Sequence, residues 1–311
     1  MPPAKLTIGT RGSKLALWQA NWVKSELESA HPGLTVELQI IKTTGDKIID
    51  VPLSQVGGKG LFVKEIEEAL LDSRVDLAVH SMKDVPTLFP DGLGLVATTE
   101  REDPRDALLS HTARTVGELS HGARVGTASL RRQAQLLHER PDLEIISLRG
   151  NLDTRLRKLN DGEFAAILLA NAGLRRLGWG QDIAHPIPIE EMVPAIGQGA
   201  LGIECRLADA ATRERITFLN HPDTADTVAA ERALLARLEG GCQVPIAAHA
   251  TLDGDRITLR GLVADPAGRQ LITSCEEGPR DEATILGREV ADDLLANGAE
   301  AILAEFYESG E

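Results

Sequence analysis

The chain has 311 residues, a formal net charge of −14 at pH 7 and a sequence isoelectric point near 5.1. Its length allows about two or three domains with substantial cores, and the acidic balance disfavours a nucleic-acid-binding protein. No stretch predicts a membrane span, the N-terminus lacks a signal-peptide core, and the three cysteines share no metal-type spacing, so we expect a cytoplasmic protein without a metal site or a disulfide framework.

The first part of the chain alternates predicted strands and helices. Residues 6–10 predict a buried strand, and Ser13 predicts the N-cap of a helix over residues 14–28. Residues 34–42 predict the next strand. A glycine loop at residues 57–60 precedes a helix predicted over 62–71, and a strand is predicted over 75–79. This alternation with short connections is typical of an α/β domain.

A similar pattern begins again after a predicted boundary at residues 103–106. The run Ile8-Gly9-Thr10 followed by Ser13 corresponds to Val125-Gly126-Thr127 followed by Ser129, the predicted N-cap of a helix over 130–139. The later apolar run 164–170 corresponds to the strand over 75–79. Internal repetition at this scale predicts two α/β domains of like design.

The remaining third of the chain predicts a crossing segment and a different domain. The glycine-rich run 191–205 predicts a return to the first domain with glycines as hinge points. A helix over 227–238, hairpin strands over 246–252, 256–264 and 270–275, and a closing helix over 283–297 predict a small α+β domain with an antiparallel three-stranded sheet. The predicted domains are residues 1–99 with 197–218, residues 100–196, and residues 219–311.

Basic and hydroxyl side chains follow the predicted strands in both α/β domains. Ligands of open α/β sheets bind beyond the carboxyl ends of strands, helix N-termini favour anions, and arginine binds carboxylates bidentately. A substrate with several carboxylates therefore fits this pattern better than isolated surface ion pairs do, although surface pairing remains the alternative for any single arginine. The side chains concerned are Arg11, Thr127, Ser129, Arg131, Arg132, Arg149, Arg155, Arg175 and Arg176.

Asp84 follows Lys83 just beyond the strand predicted over 75–79. A carboxylate in a basic crevice can stabilise a developing cation and transfer protons; the alternative is a helix N-cap. We interpret His80 as structural. Lys59 and Phe62, on and beside the glycine loop, are candidates for a lid.

Cys242 lies between a helix end and Pro245, in the run Gly240-Gly241-Cys242. The glycines permit positive φ and the proline prevents the helix from resuming. This predicts an accessible, potentially reactive thiol, with an ordinary buried cysteine as the alternative.

Together these runs closely resemble the porphobilinogen deaminase (hydroxymethylbilane synthase) family of tetrapyrrole biosynthesis. The matching stretches are residues 10–17 (TRGSKLAL), 56–62 (VGGKGLF), 80–86 (HSMKDVP), 100–106 (EREDPRD), 126–132 (GTASLRR), 148–151 (LRGN), 196–200 (IGQGA) and 238–242 (LEGGC).

The resemblance implies two domains built like type II periplasmic binding proteins, and a dipyrromethane cofactor bound by a thioether to Cys242. It implies that porphobilinogen is the substrate and that four molecules are joined head to tail with release of ammonia. Asp84 is the implied catalytic carboxylate. The implied cofactor-binding residues are Cys242, Lys83, Ser13, Thr127, Ser129, Arg131 and Arg132; the implied substrate-binding residues are Arg11, Arg149, Arg155, Arg176 and Gln198.

Two positions depart from the resemblance, and two other functions remain open. Gln55 stands where many relatives have lysine, so a basic contact is in doubt there, whereas Ala128 replaces a frequent serine and is expected to be tolerated. A non-catalytic anion-binding protein of the periplasmic type would share the two α/β domains, and a cysteine hydrolase would use Cys242 with a histidine partner. We expect a monomer.

Overall fold

The computed structural model describes residues 5–47, 62–180, 183–239 and 244–308. The described residues form two compact units. The first comprises residues 5–47, 62–102 and 200–225, and the second comprises residues 103–180, 183–199, 226–239 and 244–308. The division into three domains remains a prediction.

The first unit is a mixed five-stranded sheet in the order β2-β1-β3-β10-β4. Strands β1, β2 and β3 are parallel, and β10 is antiparallel to both of its neighbours. Its elements are β1 (Lys5–Thr10), α1 (Lys14–Ala30), β2 (Thr35–Ile40), α2 (Thr44–Lys47), α3 (Lys64–Leu71), β3 (Leu77–Ser81), β4 (Leu93–Thr98), β10 (Leu201–Arg206) and α7 (Ala210–Ile216).

The second unit begins with a sheet of the same design, in the order β7-β6-β8-β5-β9. Strands β6, β7 and β8 are parallel, and β5 is antiparallel to β8 and β9. The elements are β5 (Asp106–Leu109), β6 (Arg124–Gly126), α4 (Leu130–Glu139), β7 (Glu144–Ile146), α5 (Leu152–Asn160), β8 (Ala166–Ala170), α6 (Asn171–Leu177) and β9 (Ala184–Pro186). The two sheets confirm the predicted repetition.

The second unit also contains the predicted antiparallel sheet, in the order β11-β12-β13. Helix α8 (Pro222–Arg237) precedes it, and the strands are β11 (Ile246–Asp253), β12 (Arg256–Ala264) and β13 (Leu271–Pro279). Helix α9 (Ala283–Leu294) follows and continues through a π-helical turn at Leu295–Ala299 into α10 (Glu300–Glu308). This confirms the predicted fold class of two α/β sheets and a smaller α+β part.

Some element boundaries differ from the sequence predictions. Strand β3 begins at Leu77 rather than Val75, because the backbone N–H groups of Val75 and Asp76 bond to Ala69 and Thr7 outside the ladder. Strands β4, β5, β7 and β9 were not predicted. The helix predicted to end at the Gly240-Gly241 pair ends at Arg237, and Glu239 already has a φ of 52°.

Close packing of α9 on α8 gives one stability prediction. A Cβ at Gly287 would lie 2.3 Å from the carbonyl oxygen of Ala230 and 2.7 Å from the Cβ of Ala233. Gly287→Ala is therefore expected to lower the free energy of unfolding by about 1–3 kcal/mol, the usual cost of overpacking, as measured by urea denaturation. At Gly117 a Cβ would meet only Thr115 Oγ1 at 3.8 Å, so Gly117→Ala is the control. Equal stability of the two variants would contradict the packing argument.

Candidate active site

In the first unit, the carboxyl ends of three parallel strands lie at the same edge of the sheet. Arg11 and Ser13 follow β1, and Lys83 and Asp84 follow β3. Ser13 is the N-cap of α1, and its hydroxyl accepts a hydrogen bond from the backbone N–H of Ala16 at 3.2 Å. The serine caps the helix because an N-cap oxygen satisfies an otherwise unpaired N–H. The helix N-terminus therefore faces this edge, as predicted.

Arg11 lies between an acidic and an aromatic side chain at this edge. Its Nε donates to Asp46 Oδ1 at 3.1 Å, and its guanidinium carbon lies 4.2 Å from the centre of the Phe62 ring. Burial acts to raise the pKa of Asp46, but the hydrogen bonds and charge of Arg11 outweigh it and lower that pKa. The structure thus brings the candidate substrate-binding Arg11 into contact with the lid candidate Phe62 through a cation–π interaction.

Asp84 is the last residue of a one-turn 3₁₀ helix, Met82–Asp84, that directly follows β3. It is not a helix N-cap, so the alternative interpretation of this aspartate is wrong. The side chain is half-buried, like that of its neighbour Lys83. The Asp84 carboxylate forms no hydrogen bond or ion pair with any residue that the structure describes. A backbone bond from Met82 N–H to Ala200 C=O, 3.0 Å long, fixes the turn against the residue preceding β10.

A group of buried titratable side chains lies beside β3 in the first unit: His80, Glu204 and Glu67. His80 Nε2 lies 3.0 Å from Glu204 Oε2, and the two side chains are 4% and 1% exposed. His80 is thus buried and paired, in keeping with the structural interpretation. Glu67 of α3 is also buried, and burial together with the charge of Glu204 raises the pKa of Glu67 to about 7. Within the described residues, Oε1 of Glu67 and Oε1 of Glu204 have no hydrogen-bond partner.

The raised pKa of Glu67 predicts a pH-dependent stability. The folded protein holds this proton up to a pH of about 7, whereas the reference carboxyl loses it near 4.5. The free energy of unfolding therefore falls as pH rises through that window, by at most about 3.5 kcal/mol. Because glutamine mimics the protonated acid, Glu67→Gln is expected to stabilise the protein at pH 8 and to change little at pH 4.5 in urea denaturation.

Helix α3 also offers a matched control for this test. Glu68 is the adjacent residue and is exposed, so Glu68→Gln is expected to change stability by less than about 0.5 kcal/mol at either pH. A stabilisation by Glu67→Gln that is equal at both pH values would contradict a titration of this carboxyl.

In the second unit, the equivalent edge carries the predicted hydroxyl and arginine residues. Ser129 is the N-cap of α4, and its hydroxyl accepts from Arg132 N–H at 3.4 Å. Thr127 is buried, and its Oγ1 accepts from Ser129 N–H at 3.2 Å. Arg131 and Arg132 point into the unit and are each only 5% exposed. The structure therefore brings these four candidate residues together at the end of β6.

Three further candidate arginines lie on this unit. Arg149 precedes the N-cap of α5 and is half-buried, and burial lowers its pKa. Arg155 Nε donates to the carbonyl oxygen of Gly150 at 2.8 Å. Arg176, in α6 beyond β8, donates from Nη2 to Gly199 C=O at 2.6 Å. Arg176 thus follows the carboxyl end of β8, as predicted, whereas Arg149 and Arg155 follow β7, a strand that the sequence did not predict.

Sequence reasoning missed Asp106, which it assigned to a boundary segment. Asp106 opens β5, has no exposed surface and forms ion pairs of 2.7 Å with Arg131 and 2.8 Å with Arg132. Gln198, which the family resemblance implies as a substrate ligand, is 1% exposed and donates to Asp106 Oδ1 at 2.9 Å. An Asp-Pro-Arg-Asp run in a loop gives no local signal that its last carboxylate is a buried ion-pair partner.

Several candidates lie outside the described residues: Cys242, Lys59 and Gln55. The described part of the chain contains no cluster of three side chains able to hold a metal ion. No helix within it is long and apolar enough to cross a membrane.

A cavity of about 360 Å³ in the second unit is lined in part by Glu139, Glu190, Glu191 and Arg260. None of the predicted carboxylate-binding residues lines it, so it is not the predicted anion pocket.

Models of known protein families match nearly the whole chain. Residues 6–214 match the model of "Porphobilinogen deaminase, dipyromethane cofactor binding domain", and residues 225–296 match that of "Porphobilinogen deaminase, C-terminal domain". The chain belongs to the porphobilinogen deaminase family. A porphobilinogen deaminase of Pelobacter propionicus is 61% identical over 308 residues, covering 99% of each chain. One of Trichlorobacter lovleyi is 61% identical over 308 residues, covering 99% of this chain and 98% of that one.

Membership in this family confirms the predicted activity, porphobilinogen deaminase activity in tetrapyrrole biosynthesis, with a dipyrromethane cofactor and porphobilinogen as substrate. It sets aside the two alternatives, a non-catalytic anion-binding protein and a cysteine hydrolase.

Among solved structures, the methionine binding protein MetQ is 16% identical with a TM-score of 0.44, covering 70% of this chain and 90% of that one. The periplasmic aliphatic sulphonate binding protein SsuA from Escherichia coli is 14% identical with a TM-score of 0.41, covering 76% and 71%. Similarity at this level does not define a ligand for this chain.

The donors at the strand ends fit a dipyrromethane with acidic side chains. Each unit offers a serine-capped helix N-terminus, at Ser13 and Ser129, and basic side chains in the same region. Hydroxyls, backbone N–H groups and guanidinium groups are all hydrogen-bond donors to carboxylates. Nothing in this donor set is specific for a metal or a planar aromatic cofactor.

Proposed function

We propose that Asp84 is the catalytic carboxylate of the deaminase reaction. The observation that supports this most is its half-buried position directly after β3, with no partner among the described residues. A carboxylate that none of the described residues engages remains available to a substrate N–H. Its neighbour Lys83 provides positive charge that favours acidic substrates at the same turn.

Loss of ammonia from porphobilinogen leaves an electron-deficient methylene-pyrrole cation. Asp84 stabilises this cation electrostatically by accepting a hydrogen bond from the pyrrole N–H, and the interaction is stronger in a half-buried site than in water. After the next ring has attacked, the same carboxylate assists removal of the surplus ring proton. Four such condensations, followed by hydrolysis, give the linear tetrapyrrole hydroxymethylbilane.

We assign the carboxylate-binding residues in two groups. When bound, dipyrromethane supplies the pyrrole carbon to which the first substrate ring is joined. Its acetate and propionate groups are bound by Lys83, Ser13, Thr127, Ser129, Arg131 and Arg132. The carboxylates of the incoming substrate are bound by Arg11, Arg149, Arg155, Arg176 and Gln198. The support is that the basic and hydroxyl members follow strand ends in the two units, where helix N-termini and arginines favour anions. Lys59 and Phe62 remain candidates for a lid.

We propose that Cys242 carries the cofactor through a thioether. The support is the Gly-Gly-Cys run before Pro245, which lies within the stretch matched by the C-terminal-domain model, and membership in a family whose other model names a dipyromethane cofactor. A covalent attachment keeps the growing product on the protein and makes each addition effectively intramolecular.

The test of this assignment is the intact mass of the purified protein, followed by peptide mapping. We expect an excess mass equal to two linked porphobilinogen-derived rings, located on the peptide that contains Cys242. Protein that is inactive and unmodified is incubated with porphobilinogen and measured again. Active protein with an unmodified Cys242 would overturn the attachment.

We infer that the protein is a cytoplasmic monomer. The family activity consumes a small molecule, and the composition gives no basis for disulfides. The large hydrophobic side chains exposed among the described residues come from separate segments of the chain: Ile40, Leu71, Leu88, Leu207, Phe218 and Ile285. Such single exposed residues do not indicate a subunit interface. Sedimentation equilibrium at the mass of one chain is the expected result.

A further inference from the structure

Three candidate binding side chains converge on one buried carboxylate that the sequence did not single out. Asp106 Oδ2 lies 2.7 Å from Arg131 Nη1. Asp106 Oδ1 accepts from Arg132 Nη2 at 2.8 Å, from Arg132 Nε at 3.1 Å and from Gln198 Nε2 at 2.9 Å. One aspartate therefore holds two guanidinium groups and one amide.

The charge balance at this point requires the aspartate to be ionised. Burial acts to raise the pKa of Asp106, but the charges of Arg131 and Arg132 outweigh it and hold that pKa well below its usual range. Without the carboxylate, two guanidinium groups that are each 5% exposed would lie side by side with no neutralising charge. Buried like charges repel strongly at low dielectric constant, so the pair is held in place by Asp106.

Backbone carbonyl groups fix the orientation of each guanidinium further. Arg131 Nη1, which forms the ion pair with Asp106 Oδ2, donates to Val193 C=O at 2.6 Å, and Arg132 Nη1 donates to Leu168 C=O at 3.0 Å. The Nε and Nη2 groups of Arg131 form no hydrogen bond within the described part of the chain. These N–H groups are the donors available to a bound carboxylate, and their direction is set by the contacts on the other side of the guanidinium.

We propose that Asp106 is a positioning residue for the cofactor: it orients Arg131 and Arg132 so that their remaining donors meet the carboxylates of dipyrromethane. This inference rests on the proposed assignment of these residues to cofactor and substrate binding. Asp106 itself does not touch the cofactor. It neutralises one of the two arginine charges, so the cluster keeps a net positive charge for an anionic ligand.

The test compares cofactor loading of Asp106→Asn with that of the unaltered chain. Asparagine has nearly the same size but cannot neutralise the two arginines. Full-length protein lacking the cofactor is incubated with porphobilinogen, and the fraction that has gained the mass of two rings on Cys242 is followed over time. Asp106→Asn is expected to load at least about 10-fold more slowly, since lost charge-assisted hydrogen bonds of this kind change equilibria by that order.

A control variant separates positioning from general destabilisation. Asp142 forms an ion pair with Arg140 in the same unit, with Nε–Oδ1 and Nη2–Oδ2 distances of 2.7 Å. Asp142→Asn removes this pair, and neither residue is a candidate ligand. Loading is compared at urea concentrations that leave each variant equally folded, and Asp142→Asn is expected to load at the normal rate. Slow loading of both variants under these conditions would overturn the positioning role.

A second variant covers the case in which Asp106→Asn does not fold. Asp106→Glu retains the charge but moves the carboxylate by one methylene, so it is expected to fold and to load more slowly than the unaltered chain. Loading at the normal rate by whichever variant folds would overturn the inference. If the unaltered chain itself gained no mass on Cys242, the proposed attachment would fail instead, so the two failures are distinguishable.

Discussion

Cys242→Ala is expected to abolish the covalent cofactor and, with it, more than about 99% of hydroxymethylbilane formation. A thioether requires the sulfur, and the alanine chain has no group that can replace it. The intact mass should equal that of the bare polypeptide, even after incubation with porphobilinogen. The rate of product formation is measured on the same sample, so that mass and activity are compared directly.

The other two cysteines provide matched controls for this substitution. Cys205 is buried in β10, and burial raises the pKa of its thiol to about 11, so it carries little thiolate. Cys275 in β13 is exposed. If attachment followed accessibility alone, Cys275→Ala would reduce the added mass; we expect it to leave both mass and activity unchanged, as does Cys205→Ala. A two-ring mass on Cys242→Ala protein would refute attachment at this residue.

The parallel strands and serine caps were predictable because their signals are local. A run such as Ile8-Gly9-Thr10 followed by Ser13 contains both the buried strand and the N-cap that begins the helix, and the same holds for Ser129. Strand β10 was harder to place, since it is antiparallel between β3 and β4 and its partners lie more than 100 residues earlier in the chain. The glycine-rich run predicted only that the chain returns to the first unit.

The candidate site was predictable to the extent that it follows strand ends. Arg11, Asp84, Thr127 and Ser129 were located by their position after strands. The pairing of Arg131 and Arg132 with Asp106 was not, because ion pairs between residues 25 and 26 positions apart leave no periodic signal. The buried Glu67, and Glu204 beside His80, were also missed, because charged residues are ordinarily predicted to be exposed.

Asp84→Asn is expected to lower the turnover rate by about 10²–10⁴-fold, the usual contribution of a positioned acid–base or charge-stabilising group. Asparagine occupies the same space after β3, so binding of the substrate carboxylates by arginines is retained and KM should change little. The amide lacks the negative charge that stabilises the methylene-pyrrole cation, and it cannot accept the ring proton. The rate is measured per molecule carrying the cofactor mass. Slower cofactor loading would otherwise lower the measured activity in addition to any loss of turnover.

Asp84→Glu and Asp91→Asn make this test specific. Asp84→Glu keeps the negative charge but moves it by one methylene group, so it should retain more of the rate than Asp84→Asn does. A purely structural role would not predict that the rate depends on the charge. Asp91 is exposed and lies seven residues further along the chain, so Asp91→Asn should retain the normal rate. The half-buried position of Asp84 and its lack of a partner among the described residues predict that its loss costs catalysis rather than folding. Two results would show that Asp84 is not part of the mechanism. One is an Asp84→Asn protein with the normal rate per cofactor-loaded molecule; the other is a loss of activity that comes only from a lower free energy of unfolding.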